Sequence, residues 1–288
     1  MGLARPIVYQ MDAAGTVSRG QWWRGALVRH QGVRSSSKGN DMDLIEGQQG
    51  NSRRHPWEEA RFEFFAAALS ERRLLTPDVT VLDVGAGDGW FARSLLARAP
   101  QIRVTCWDSN YEAIDCDAAP DGVAFTRAAP PGRFDVVLML DVLEHVEDDA
   151  AFLCSIVHER VRPGGALLFS VPAWQRLFSR HDTALKHFRR YRPFEAERLL
   201  CGAGLEILVQ GGLFHSLLVP RAASILAENT YSLPPLDPAA SSRWQAPRWV
   251  TACVRAALRA DNAVSRLAAA SGVNLPGLSY WALATRRA

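Results

Sequence analysis

The stretch "VLDVGAGDGW", Val81 to Trp90, places glycine at three alternate positions, Gly85, Gly87 and Gly89, directly behind a short apolar run. An apolar run, a glycine turn and then "FARSLLARA" read as strand, tight turn and helix. Such a turn opens backbone N–H groups at a helix start to a ligand, so the neighbouring charges decide which ligand is held.

The pattern repeats downstream. Apolar runs "IRVTCWD", "FDVVLML" and "ALLFSVP" alternate with the helical stretches "GWFARSLLARA" and "DDAAFLCSIVHERV", and "RPGG" reads as a turn before the last run. Apolar strands separated by helices are βαβ units. The fold class is therefore α/β, a doubly wound, Rossmann-like and mostly parallel sheet. The end differs. After helix "FEAERLLCGAG" the strands "LEILVQGG" and "GLSYWALATRR" form a terminal antiparallel hairpin, split by a helical insertion over 213–275.

Composition bounds the rest. The 288 residues are 48% hydrophobic and 22% charged, with a formal charge of +3, which suits a globular protein with a sizeable core. Residues 1–41 alone carry +4, from five arginines and Lys38 against Asp12 and Asp41, leaving −1 for everything after. Without a basic stripe on the body, or the aromatic and arginine signature of an RNA-binding sheet, nucleic acid is not expected as a partner. The five cysteines show no paired or metal-ligand spacing, so free thiols, no metal and a cytoplasmic location are expected. Residues 1–41 mix Gly, Ser and Arg without period and are expected to form a disordered, dispensable extension; 42–288 is expected to be one domain. From Pro56, the positions Trp57, Phe64, Phe65, Ala68 and Leu69 give an amphipathic helix ending near Leu75.

A dinucleotide turn needs G-x-G-x-x-G, whereas here the third glycine's place is taken by Trp90. Asp88 would also oppose a pyrophosphate. S-adenosylmethionine carries no phosphate and two positive groups, so the acids suit it. Asp83 closes the first strand, and Asp108 closes the second, where a carboxylate can accept both ribose hydroxyls. A nucleotide-linked oxidoreductase and a non-catalytic S-adenosylmethionine-binding protein are the alternatives.

"DVGAGDG", the acid at Asp108, "FDVVLMLDVLEHV" and "RPGG", in this order from about Val79 to Val171, resemble the class I S-adenosylmethionine-dependent methyltransferases, in particular bacterial members of the type 11 and 12 kind. The resemblance implies that Asp83, Gly85, Ala86 and Gly87 line the methionine end, that Asp108 and Ser109 hold the ribose, and that Asp141, Val142 and Leu143 flank the cofactor. The family's usual acid near the adenine is missing from "FTRAAPPGRFD", which leaves that contact to backbone near Arg127 and Ala128. Glu144 and His145 read as polar groups at a helix start, with His145 structural or part of the cofactor loop.

A second constellation, "FSRHDTALKHFRRYRP" (Phe178 to Pro193), packs His181, Asp182, His187, Arg189, Arg190 and Tyr191 into the loop 174–193 beyond the fifth strand. It matches a D-x-x-L-x-H-x-R-R-Y run that the resemblance also covers. Ligands of open α/β sheets bind outside this edge. Methyl transfer depends mainly on proximity, with His187 or His181 as general base, Asp182 orienting an imidazole, and Arg189, Arg190 and Tyr191 contacting the acceptor. In the insertion, Arg248, Arg255, Arg259 and Arg266 share one helix face opposite Val250, Val254, Val264 and Leu267. This arrangement is expected to cap the active site for a small-molecule, hydrophobic or lipid-linked acceptor, with peripheral membrane contact through 248–266 as the other use of that helix.

Overall fold

The computed structural model describes residues 54–111, 121–230 and 244–287, together with the short strands β1 (Tyr9–Met11) and β2 (Val17–Arg19), which pair antiparallel. The rest of the 1–41 extension, and Met42 itself, lie outside the described residues.

A seven-stranded sheet organises the body. Its strands are β3 (Thr80–Val84), β4 (Arg103–Trp107), β5 (Val123–Thr126), β6 (Phe134–Leu140), β7 (Val161–Pro172), β8 (Leu205–Leu213) and β9 (Ser279–Arg286), in spatial order β5-β4-β3-β6-β7-β9-β8. The first five run parallel, and β9 is antiparallel to both β7 and β8. The order reverses between β3 and β6, so the loops leaving those two strands diverge and open a crevice at their carboxyl ends.

Helices cover both faces because the central strands are apolar on both sides. On one face lie α1 (Pro56–Glu71), α2 (Trp90–Arg98) and the long α7 (Arg248–Ala270); on the other lie α3 (Asp149–Arg160) and α5 (Pro193–Gly202), with the short α4 (Arg180–Ala184) in the loop between β7 and α5. Helix α1 begins where His55 Nδ1 accepts the Trp57 N–H at 3.3 Å and Pro56 fills the first turn. Its Phe64 and Phe65 meet the fully buried Trp281 of β9 edge to face, Phe64 at a centroid distance of 4.8 Å. Truncating such a ring in a packed core costs about 3–5 kcal/mol.

Two sequence expectations are corrected here. "RPGG" is no free-standing turn: it lies inside β7. Val161 pairs with Phe134 and Ala166 with Val136, so Arg162 to Gly165 bulge out of the ladder, with Gly164 at φ +75° making the bend. Helix α7 is also rotated from the expected face: Val254 and Leu258 pack on the core, with the arginines at the flank of that contact. Its arginines face α1: Arg255 pairs with Glu59 at 2.9 Å, Arg259 with Glu63 at 2.7 Å and Arg266 with Glu71 at 3.5 Å. Trp249, Val264 and Leu267 consequently point outward, Trp249 and Leu267 being about 70% exposed. The acid stripe of α1 decides this orientation, which a single helix's pattern does not contain. The insertion therefore lays α7 along α1, while α6 (Leu218–Thr230) reaches the 174–193 loop through Arg221.

Candidate active site

The glycine turn forms one wall of the crevice. Gly85, Gly87 and Gly89 all adopt positive φ, and a Cβ on Gly85 would stand 2.7 Å from Val142 Cγ2, so the loops after β3 and β6 touch here only because residue 85 lacks a side chain. Asp108, at the end of β4, accepts the Gly87 N–H at 3.0 Å and the Asn110 N–H at 2.9 Å, which fixes the turn. Ser109 follows it, half-buried, and the Asp108 N–H donates to Thr126 O beside exposed Arg127 and Ala128. Asp83 is buried, and its Oδ2 has no hydrogen-bond partner. Burial pushes this carboxyl up to about 7; Arg61 pulls it back and the Asp108 charge adds to the rise.

The second wall follows β6. Asp141 sits at φ +57°, a region that non-glycine residues rarely occupy, and accepts the Ser170 hydroxyl at 3.0 Å. Its other oxygen pairs with Arg61 of α1, whose guanidinium also lies 4.8 Å from the centroid of the Trp57 ring. The Arg61 Nε is buried without a partner. Val142 presses on Gly85, whereas the Leu143 side chain is fully buried in the core beneath, so Leu143 offers the crevice no side chain. Sequence pattern singled out none of Arg61, because a lone arginine on an amphipathic helix looks like a solvated one.

Loop 174–193 is anchored rather than open. Its backbone returns to the sheet through Tyr191 N–H to Pro172 O at 2.9 Å and to the β6 turn through Phe188 N–H to Glu144 O at 2.8 Å. Asp182 is completely buried and accepts from four partners: Arg190 Nε at 2.7 Å, Arg221 at 2.6 Å, the Ser179 N–H at 2.9 Å and His187 Nδ1 at 3.0 Å. Burial alone would raise this carboxyl, but the His187 hydrogen bond and the Arg190 charge outweigh it and hold it well below the usual range.

These contacts correct the acceptor-side expectations. Arg190 is largely buried, with its guanidinium bonded to Asp182 and Ala173 O. Tyr191 is buried too, its hydroxyl donating to Asp149 Oδ2 at 2.8 Å and lying 3.2 Å from Leu143 O. Arg189 pairs with Asp149 at 2.8 Å and donates to Glu147 O at 2.7 Å. With Arg190, Tyr191, Arg192 and Arg198 it lines an outer cleft of about 620 Å³ whose lining includes no residue of the glycine turn. His181 is lowered by burial first and then by Arg221, which favours the neutral ring, and its backbone N–H donates to Ser179 Oγ at 3.2 Å.

His187 does reach the crevice. Its ring meets that of His145 at 4.6 Å, close to perpendicular. Glu144, fully buried, points into the same spot with both carboxylate oxygens unpartnered. One ligand atom from each of Glu144, His145 and His187 lies within 4.8 Å of the others. Burial raises the Glu144 carboxyl well above its ordinary range, with Asp141 adding to it; burial and then His187 lower His145 to about 4. No metal ligands are expected from cysteine spacing, yet the fold gathers this triple from a three-residue helical turn and a loop more than 40 residues on. The sequence signal was the adjacent pair Glu144-His145 at the end of the central strand, which local pattern reads as a helix start.

A methyltransferase-domain family model matches residues 55–210, more than half of the chain. Among curated relatives, the ubiquinone biosynthesis O-methyltransferase of Azotobacter vinelandii is 33% identical over 100 residues, 31% of this chain and 43% of that protein. The enzyme of the same name from Serratia proteamaculans is 37% identical over 103 residues, 32% of this chain and 42% of its own length. The chain thus spans less than half the length of these two relatives. A solved structure assigned as a sarcosine dimethylglycine methyltransferase, from Galdieria sulphuraria, covers 86% of this chain and 99% of its own at a TM-score of 0.55 and 15% identity, which shows the shared fold. Strand order, the crevice at the β3–β6 switch and the family match over residues 55–210 agree: the chain belongs to the class I S-adenosylmethionine-dependent methyltransferases.

Proposed function

We propose that the protein transfers the methyl group of S-adenosylmethionine to an oxygen acceptor. The observation that carries the cofactor is Asp83, a buried carboxylate with one oxygen unpartnered beside a turn whose three glycines leave its backbone open. A cation satisfies that oxygen; a phosphate would be repelled by it and by Asp108. In this reading the cofactor's ammonium meets Asp83, its carboxylate meets the unpartnered Nε of Arg61, and its ribose hydroxyls meet Asp108 and Ser109. Gly85, Ala86 and Gly87 allow the close approach, and Asp141 and Val142 close the opposite side. When bound, the cofactor supplies an electrophilic methyl on sulfur; the chain's part is to orient it and exclude water. The oxygen acceptor is supported by the names of the two O-methyltransferase relatives, and its identity beyond that is open to a hydrophobic or lipid-linked molecule. Among the described residues no helix is long and apolar enough to cross a membrane.

Calorimetry with S-adenosylhomocysteine and, separately, with NADH tests this reading. One site for the first ligand and none for the second is expected. Binding of NADH alone overturns it.

A further inference from the structure

We infer that the outer cleft beside α5 is a second ligand site, which takes a phosphate dianion carried by a small molecule or by a lipid headgroup. The cleft has a volume of about 620 Å³, within the roughly 300–1,000 Å³ of ligand pockets. Four arginines, Arg189, Arg190, Arg192 and Arg198, line it against two acids, Asp149 and Glu195. No residue of the glycine turn is among its walls, so the site is separate from the cofactor crevice and independent of the reaction assigned to that crevice.

Charge points to the ligand. Four arginines against two acids give the lining an excess of two positive charges, and Asp182, which offsets Arg190, is shared with Arg221. The two acids of the lining are themselves engaged. Asp149 Oδ2 accepts from Arg189 and from the Tyr191 hydroxyl, each at 2.8 Å, and Glu195 Oε2 accepts the Arg192 N–H at 2.9 Å at the start of α5. Arg192 and Arg198 are exposed and, among the described residues, pair with no carboxylate. Like charges gathered around one concavity repel each other, and a bound dianion relieves that repulsion. A phosphate monoester carries about −1.5 to −2 near pH 7 and so matches the excess, whereas a single carboxylate leaves part of it uncompensated.

The donors are set in place by the fold before any ligand arrives. Arg189 uses Nη1 on Asp149 and Nη2 on Glu147 O, which leaves it further N–H groups of its five. Gln175 accepts the Arg190 N–H at 2.8 Å through Oε1, so its amide NH2 keeps both donors. Pro193 fills the first turn of α5 and so fixes Arg192 directly before the helix, with Arg198 on the helix itself. Guanidinium forks match phosphate oxygens two at a time, and here they come from two elements, the loop after β7 and α5.

Pyrophosphate is the probe, titrated calorimetrically into the full-length protein with and without S-adenosylhomocysteine. One saturable site of the same affinity is expected in both cases. Arg192→Gln and Arg198→Gln, checked for folding by circular dichroism, should each weaken it at least about tenfold through the loss of charge-assisted hydrogen bonds. Glu195→Gln keeps the acceptor for the Arg192 N–H and removes a like charge, so it should tighten binding. Arg103→Gln, at the opposite, amino end of β4 and 68% exposed, should leave it unchanged. Absence of saturable binding overturns the site, as do binding that both α5-side variants leave unchanged, an equal loss in Arg103→Gln, and competition between pyrophosphate and S-adenosylhomocysteine. Sedimentation with phosphatidylcholine vesicles containing phosphatidic acid as the minor lipid separates the two sources of the phosphate. Co-sedimentation that Arg192→Gln and Arg198→Gln abolish assigns a lipid headgroup, and pyrophosphate binding without co-sedimentation assigns a soluble phosphorylated molecule.

Discussion

Arg61 and Asp141, 80 residues apart, form an ion pair that ties helix α1 to the strained residue at the end of β6. The pair sits at the mouth of the crevice, where the guanidinium is held against the Trp57 ring and its Nε stays free for an anion.

Arg61→Met should accordingly weaken S-adenosylhomocysteine by about 10–100-fold, the equivalent of losing a charge-assisted hydrogen bond of about 1.5–3 kcal/mol. The partly exposed ion pair itself contributes at most about 1 kcal/mol, so the melting temperature should move by only a few degrees. Calorimetry and a thermal melt on the same variant check both. Unchanged affinity would remove Arg61 from the cofactor site.

Asp83 makes both stability and cofactor affinity depend on pH. Folding raises its carboxyl from near 4 to about 7 through burial, so between those values the folded protein holds a proton that the unfolded chain has lost. Stability then falls as pH rises through that window. A bound ammonium favours the ionised carboxylate, so S-adenosylhomocysteine affinity should rise by up to about tenfold per pH unit below 7 and level off above it. Asp83→Asn should flatten both profiles and weaken binding at pH 8. An affinity that does not change between pH 6 and 8 in the unaltered protein would refute the assignment.

Gly85→Ala puts a methyl group where the two loops meet. At φ +66° and 2.7 Å from Val142 Cγ2, the new Cβ meets both backbone strain and a clash. A loss of about 1–3 kcal/mol in urea unfolding is expected from the strain, with cofactor binding weakened as the turn shifts. Adding Val142→Ala should recover part of the stability, because the clash goes while the strain stays. If the double variant is no more stable than the single one, the close approach of the loops is not what the glycine serves.

The parts of the molecule that were legible in sequence are those fixed by local periodicity. "FDVVLML" is β6 residue for residue, and the glycine turn, Asp83 and Asp108 lie where a strand-turn-helix rule puts them. What escaped depends on partners distant in the chain. Arg255, Arg259 and Arg266 look like a solvated face until Glu59, Glu63 and Glu71 come to meet them, nearly 200 residues earlier in sequence. Arg190 and Tyr191 look like ligand-binding residues because charge and aromaticity near a sheet edge signal one, and in the fold the same groups also pair with Asp182 and Asp149. Glu144 and His187 become neighbours only once the loop after β7 has folded back on the turn after β6.

Asp182 gives the last test, because two roles predict different outcomes for its removal. As the buried acceptor for Arg190 and Arg221, it offsets two guanidinium groups that have little access to water, Arg190 being only 8% exposed. Asp182→Ala should therefore cost about 3–5 kcal/mol in denaturant unfolding, the range for breaking a buried pair by removing one partner. A residue that merely orients an imidazole would lower turnover and leave stability nearly intact. Pairing Asp182→Ala with Arg190→Met distinguishes the two further: if uncompensated charge is the cause, the double variant should be more stable than the sum of the single losses predicts, by about 0.5–3 kcal/mol. Strict additivity of the two losses would mean that the loop is held by its backbone contacts, and that the charge network contributes little to its fold.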